Sequence, residues 1–363
     1  MNISGKFKKR KWFWIVSLLF IIGIRLWAFN SYRVENFYTN HFYSFFSQIL
    51  RFLFGWMPFS FGDILYFAAG CWLLIKIIKN IKAGFATKFN QAIFVDKIYV
   101  MLFLCTVIYI VFNIFWGLNY NRKGIAWQLD LPEVSYDSAN LKAIQYLLLQ
   151  KVNDTKKILD NKNTIYPNKK ELFVRAVKCY DEAAATYPFM KYKIPSVKSS
   201  MYGYLGDYLG FTGYYNPFTG EAQVNTTVPK FLIPYITLHE MGHQLGYAKE
   251  DEANFSGYLA AANSRDTLFQ YSTYLDLFVY ANREVYYFDS TTSKLAVTQL
   301  IPEVKQDLLE WKRFNRKYTN FFEPGISWLY GKYLQVNQQP QGLYSYNEVI
   351  ATLMAYYKKY GKI

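Results

Sequence analysis

A chain of 363 residues has room for a membrane segment and one full soluble core, and a charge of +15 with 20% aromatic residues would suit a nucleic-acid partner. The distribution excludes that partner: thirteen basic and three acidic side chains fall within residues 1–120, around apolar stretches, and no nucleic-acid fold motif accompanies the aromatics. Of three cysteines, Cys71 and Cys105 lie in apolar stretches and Cys179 stands alone, which excludes an intrachain disulfide framework and a thiolate-rich metal site beyond residue 120.

In chain order, residues 12–29 form an apolar run long enough to cross a bilayer. Trp27-Ala28-Phe29 makes a poor cleavage site, so the run predicts an uncleaved anchor. Residues 41–57 mix aromatic and polar side chains and predict an interfacial segment. A second span is expected over 62–78, interrupted by Asp63 and Lys76, and a third, free of charge, over 98–118. Lys6, Lys8, Lys9, Arg10 and Lys11 precede the first span, and Lys76, Lys79, Lys82, Lys88 and Lys97 accompany the loop between the second and third. Between the first two spans stand only Arg33 and Arg51. Positive charge stays on the cytoplasmic side, so the expectation is a multi-pass protein in the lipid bilayer with a cytoplasmic N-terminus. Residues 1–120 form its membrane domain and residues 121–363 an extracytoplasmic domain.

That second domain opens with two expected helices. Residues 137–159 start on an Asp137 or Ser138 cap, and residues 169–186 stop before Pro188. Residues 196–228 change texture to glycine, tyrosine and short alternating runs, which predict strands and turns. Residues 221–228 are expected to form an exposed edge strand to which an extended peptide adds, with Asn225 as a substrate contact. A helix at 234–245 begins at Pro234, and the remainder is mostly helical. The fold class expected is α+β: three transmembrane helices, then a mostly helical domain with a small antiparallel sheet.

The chemistry sits in His239-Glu240-Met241-Gly242-His243, in a chain whose one other histidine is His41. Positions i and i+4 share a helix face, so two imidazoles can address one metal ion. Glu240 then lies where it can take a proton from a water polarised by that metal. Gly246 can end the helix with a left-handed residue, and the acidic trio Glu250-Asp251-Glu252 favours the start of a second helix. Two histidines and a carboxylate describe an open, catalytic Zn2+ site, whereas structural sites are closed by four ligands. Glu250 and Asn254 share a face; Glu252 points away from it and stands as the alternative ligand. Lys249 occupies the position of a metzincin's third histidine, which excludes that class. Among many tyrosines, Tyr344 and Tyr346 are the candidates for stabilising an oxyanion, from their loop-like setting.

Glu250-x-x-Ala253-Asn254 resembles the Glu-x-x-Ala-Asp/Asn signature of gluzincin peptidases. The resemblance implies Glu250 as metal ligand and Asn254 as a group that orients a ligand. Residues 239–255, 213–225, 116–122 and 58–60 together resemble a bacterial membrane family known as domain of unknown function 3810. That resemblance spans most of the chain and implies a membrane-anchored zincin of the bacterial cytoplasmic (inner) membrane; it brings no substrate with it. The expectation is a zinc metallopeptidase acting on a peptide or protein substrate, peptidoglycan included, on the outer side of the membrane. Its rivals are a non-catalytic zincin-like sensor, against which Glu240 argues because binding alone has no use for it, and a structural envelope protein, which would need a fourth ligand that the sequence does not obviously offer. The sequence leaves the oligomeric state open.

Overall fold

Four helices account for most of the first 115 residues: α1 (Ile3–Ala28), α2 (Ser44–Phe54), α3 (Phe61–Ala86) and α4 (Gln91–Phe115). The computed structural model describes residues 3–86, 91–133 and 137–363, and the side chains of these except 3–10, 83–86, 91–93, 345 and 346. The side chains of Lys6, Lys8, Lys9, Arg10 and Tyr346, and all of Lys88, therefore lie outside the described residues. Within α1, α3 and α4, the stretches Lys11–Ala28, Phe61–Lys82 and Phe94–Phe115 are long and apolar enough to cross a bilayer, and the chain itself buries little of them. They mark a membrane-anchored protein.

The third apolar helix ends three residues before the expected 118. Trp116 leaves it, a 3-10 turn follows over Gly117–Asn121, and Trp116, Leu118 and Tyr120 turn into a buried cluster with Val34, Tyr38 and Tyr43. Aromatic packing overrides the hydropathy signal there. Between α1 and α2 runs a π-helical stretch, Val34–Tyr43. Its Glu35 is fully buried and receives two guanidinium bonds from Arg122, at 2.7 and 2.9 Å. α2 is two-sided: Phe45, Ile49, Phe52 and Leu53 are exposed, while Ser47, Leu50 and Arg51 are buried. This matches the pattern of an interfacial helix.

The remainder is built from α5 (Ser138–Asn161), α6 (Lys169–Thr186), α7 (Ile233–Gln244), α8 (Glu250–Ala262), α9 (Thr267–Phe288), α10 (Pro302–Tyr318), α11 (Glu323–Val336) and α12 (Val349–Tyr360). Asp137 caps α5, its carboxylate accepting from Asn140 N–H at 2.8 Å. The apolar stripe of α5 (Leu141, Ile144, Leu148, Val152) enters one core with Leu238 and Met241 of α7 and Leu275 and Phe278 of α9.

Three short strands complete the domain: β1 (Val197–Ser199), β2 (Gly213–Asn216) and β3 (Glu221–Val224). Their order is β1-β3-β2, with Val197 beside Ala222 in a parallel pair and Gly213 beside Val224 in an antiparallel one. Two expectations are corrected here. The sheet is mixed rather than antiparallel, and β3, expected at the edge, is its centre. All four β3 residues are buried, so the strand lacks the alternation of a half-exposed edge. Asn225 is likewise buried: its amide donates to Gly203 O at 3.0 Å and Asp207 Oδ1 at 2.7 Å, and it shapes a loop instead of facing a substrate. The edge strand nearest α7 is β2.

Candidate metal centre

α7 and α8 approach closely because small residues face each other. A Cβ on Gly242 would run into Ser256 Oγ and stand 3.2 Å from Ala253 O; one on Gly257 would stand 3.4 Å from His239 N. Gly246, at φ +86°, reverses the chain after α7, its N–H donating to His243 O at 2.9 Å. The reversal sets Glu250, the first residue of α8, against both imidazoles.

Glu250 Oε2 lies 3.2 Å from His239 Nε2 and 3.5 Å from His243 Nε2. The outer nitrogens are engaged elsewhere: His239 Nδ1 meets Asn254 Oδ1 at 2.7 Å, and His243 Nδ1 meets Tyr247 O at 2.6 Å. Both partners are acceptors, which sets each Nδ1 as the protonated nitrogen and leaves each Nε2 with a lone pair. Those lone pairs converge on Glu250 Oε2, a buried oxygen without a hydrogen-bond donor. One ligand atom from each of the three residues falls within 4.8 Å of the others. Such a donor set repels itself unless a cation stands between its members, and two imidazoles with one carboxylate suit a first-row divalent metal. Without a metal, a proton takes that place. Burial disfavours charge on His243, but the Glu250 carboxylate outweighs it and lifts the imidazole to about 9. Burial would raise Glu250, yet His243 and His239 hold its carboxyl well below the ordinary range.

Glu240 projects from the same turn. Its Oε2 is buried with no partner, and burial lifts the carboxyl to about 7 against the pull of His239 and His243. The side chain rests on β2, where a Cβ on Gly213 would stand 2.8 Å from its Cγ and Cδ. Glu252 belongs elsewhere. A Cβ on Gly124 would stand 2.7 Å from its Cδ, and Lys249, Asp251, Arg122 and Glu35 are its charged neighbours, so it does not join the imidazoles. Only Asp251 stands between Glu250 and Glu252 in sequence, but the 100° turn per residue of α8 sends them to different faces.

Several groups at the centre were not expected there from the sequence. Tyr330 on α11 donates its hydroxyl to Glu250 Oε1 at 3.0 Å, and Gln339 Oε1 accepts Glu250 N–H at 2.9 Å. Trp116 stands edge-on to the His243 ring at 6.0 Å, and Tyr43 reaches His243 O at 3.3 Å. With 34 tyrosines in the chain, composition could not choose among them. Tyr344, chosen from its loop, is exposed.

The family described as "Protein of unknown function (DUF3810)" matches residues 38–354. No curated protein and no solved structure matches the chain.

Proposed function

The chain belongs to the DUF3810 family, and from that footing we propose that it is a membrane-anchored, zinc-dependent peptidase of gluzincin type. One observation carries the reading: three buried lone-pair donors converge, both Nδ1 atoms are locked from outside, and a carboxylate oxygen with no partner lies beside them. His239, His243 and Glu250 are the residues to hold zinc, which when bound supplies Lewis acidity toward a water and a scissile carbonyl. Asn254 and the Tyr247 carbonyl fix the two imidazole planes. Glu240, buried on the same turn with an unpartnered carboxylate oxygen, is the residue to take a proton from the water and return it to the leaving amine. The outer edge of β2 beside it offers backbone groups to an extended peptide. The Tyr330 hydroxyl, which donates to Glu250 Oε1, steadies that carboxylate from outside. In this reading residues 1–120 anchor the enzyme, and residues 121–363 work on the outer side of the cytoplasmic membrane.

The test uses the full chain in detergent. Elemental analysis is expected to find zinc in the wild type and none in His243→Ala. Glu240→Gln is expected to keep zinc and lose hydrolysis of a mixed peptide library read by mass spectrometry. Folded wild type without metal, or turnover that survives Glu240→Gln, refutes the proposal.

A further inference from the structure

A second polar hollow lies behind the metal centre, at the C-terminal end of α7. It measures about 230 Å³ and lies between α2, the 188–193 segment and Gln244–Leu245. Liquid water takes about 30 Å³ per molecule, so the space admits a group the size of several waters. Ser44, Ser47, Arg51, Arg122, Lys191 and Lys193 are among its lining, and no acidic side chain is.

Arg51 sets its character. The residue is 3% exposed, and its Nη1 has no hydrogen-bond partner. Nε and Nη2 reach Ser47, at 3.3 Å to the carbonyl and 3.4 Å to the hydroxyl, and the guanidinium also engages Tyr192, a neutral partner whose ring lies 5.3 Å from its carbon. No carboxylate stands within ion-pair distance of Arg51 among the described residues. Arg122, by contrast, is neutralised by Glu35. A buried guanidinium without a counter-ion is costly, and the two exposed lysines at the rim add charge of the same sign. Among the described residues no carboxylate pairs with Arg51, Lys191 or Lys193. The opposite face of α2 bares Phe45, Ile49, Phe52 and Leu53, so the hollow sits on the inner side of the helix expected to lie on the bilayer.

We propose that this cavity is a binding site for a phosphate group, carried by an anionic lipid headgroup or by a free phosphoanion. The guanidinium fork of Arg51 matches phosphate oxygens, the Ser44 and Ser47 hydroxyls supply further donors, and Lys191 and Lys193 draw the anion in. The proposal does not rest on the peptidase reading, although Tyr43, which lines the hollow, also donates to His243 O.

The thermal midpoint of the full chain in neutral detergent tests it, with phosphatidylglycerol, diacylglycerol or inorganic phosphate added at constant ionic strength. A saturable rise in Tm is expected with a phosphate-bearing probe and none with diacylglycerol. A rise with phosphatidylglycerol alone identifies a headgroup site; a rise with inorganic phosphate as well identifies a site for the free anion. Lys191→Gln with Lys193→Gln, both at the exposed rim, should weaken the apparent affinity several-fold. Arg51→Gln should abolish the shift and, with no probe present, keep or raise Tm, since it removes an uncompensated charge. His243→Ala should leave the shift intact, which separates this result from the fate of the metal centre. No rise with either phosphate probe, an equal rise with diacylglycerol, or a rise unchanged in the double lysine variant overturns the proposal. The lysine variant decides the matter even if Arg51→Gln does not fold.

Discussion

Replacing Asn254 by alanine removes the acceptor that His239 Nδ1–H meets at 2.7 Å and leaves all three expected ligands in the sequence. Loss of such an outer partner lowers metal affinity by about 10- to 100-fold, or about 1.4–2.7 kcal/mol. Asn254 is 2% exposed, so bulk water does not take over the lost bond, and the effect belongs in the upper half of that range. His243 gives an internal contrast, because its anchor is the main-chain carbonyl of Tyr247 and no side-chain substitution deletes it. Asn254→Asp keeps an acceptor and adds negative charge, which makes the imidazole a stronger donor; zinc affinity should then equal or exceed that of the wild type. A competitive zinc titration against a chromophoric chelator measures all three proteins, with circular dichroism as the check on folding. Wild-type affinity in Asn254→Ala, or an equal loss in both variants, would refute the reasoning that this side chain orients a ligand.

Three further outcomes follow from the same geometry. Glu250→Ala should empty the centre while Glu252→Ala leaves metal content unchanged, because only the first carboxylate faces the imidazoles; elemental analysis separates them. Gly213→Ala places a methyl 2.8 Å from Glu240 Cγ and Cδ, where ordinary contact is about 3.5–4 Å. The carboxylate must shift by about 1 Å, and kcat should fall about 100-fold with zinc affinity intact, read as turnover against metal titration. In metal-free protein His243 is raised from about 6.5 to about 9. Its contribution to stability is complete below the lower value and lost as pH rises through the upper one. The Tm of chelator-treated protein should fall across that interval, and the fall should be missing in His243→Ala.

What could be read in advance was whatever repeats or spaces regularly. The i, i+4 histidines, the turn at Gly246 and the helix starting at Glu250 stand as expected, because helical periodicity and a positive-φ glycine are local properties. The three apolar helices were legible for the same reason, by length and composition. Strand order was not. β1 reaches β3 by a parallel pairing that skips β2, and four buried residues in β3 carry no alternation to announce an edge or a centre. Asn225 was misread with that strand. Tyr330, Trp116 and Gly213 were beyond reach as members of the centre, since each arrives from a distant part of the chain and is set there by tertiary packing alone. Glu35 gave no sign that it would lie buried against Arg122, 87 residues away.

That pair has a mechanical meaning. Glu35 follows the first apolar helix by a few residues, Arg122 follows the last one, and Arg122 also donates to Leu245 O at the end of α7. Tyr43 adds a second fastening, to His243 O. The centre is thus bolted to its anchor with no slack cable between them, unlike an ectodomain swinging on a long stalk. In the proposed peptidase, a centre mounted this way would act at a fixed height above the lipid and would pass over an identical bond held higher, so depth would be its first filter and sequence its second.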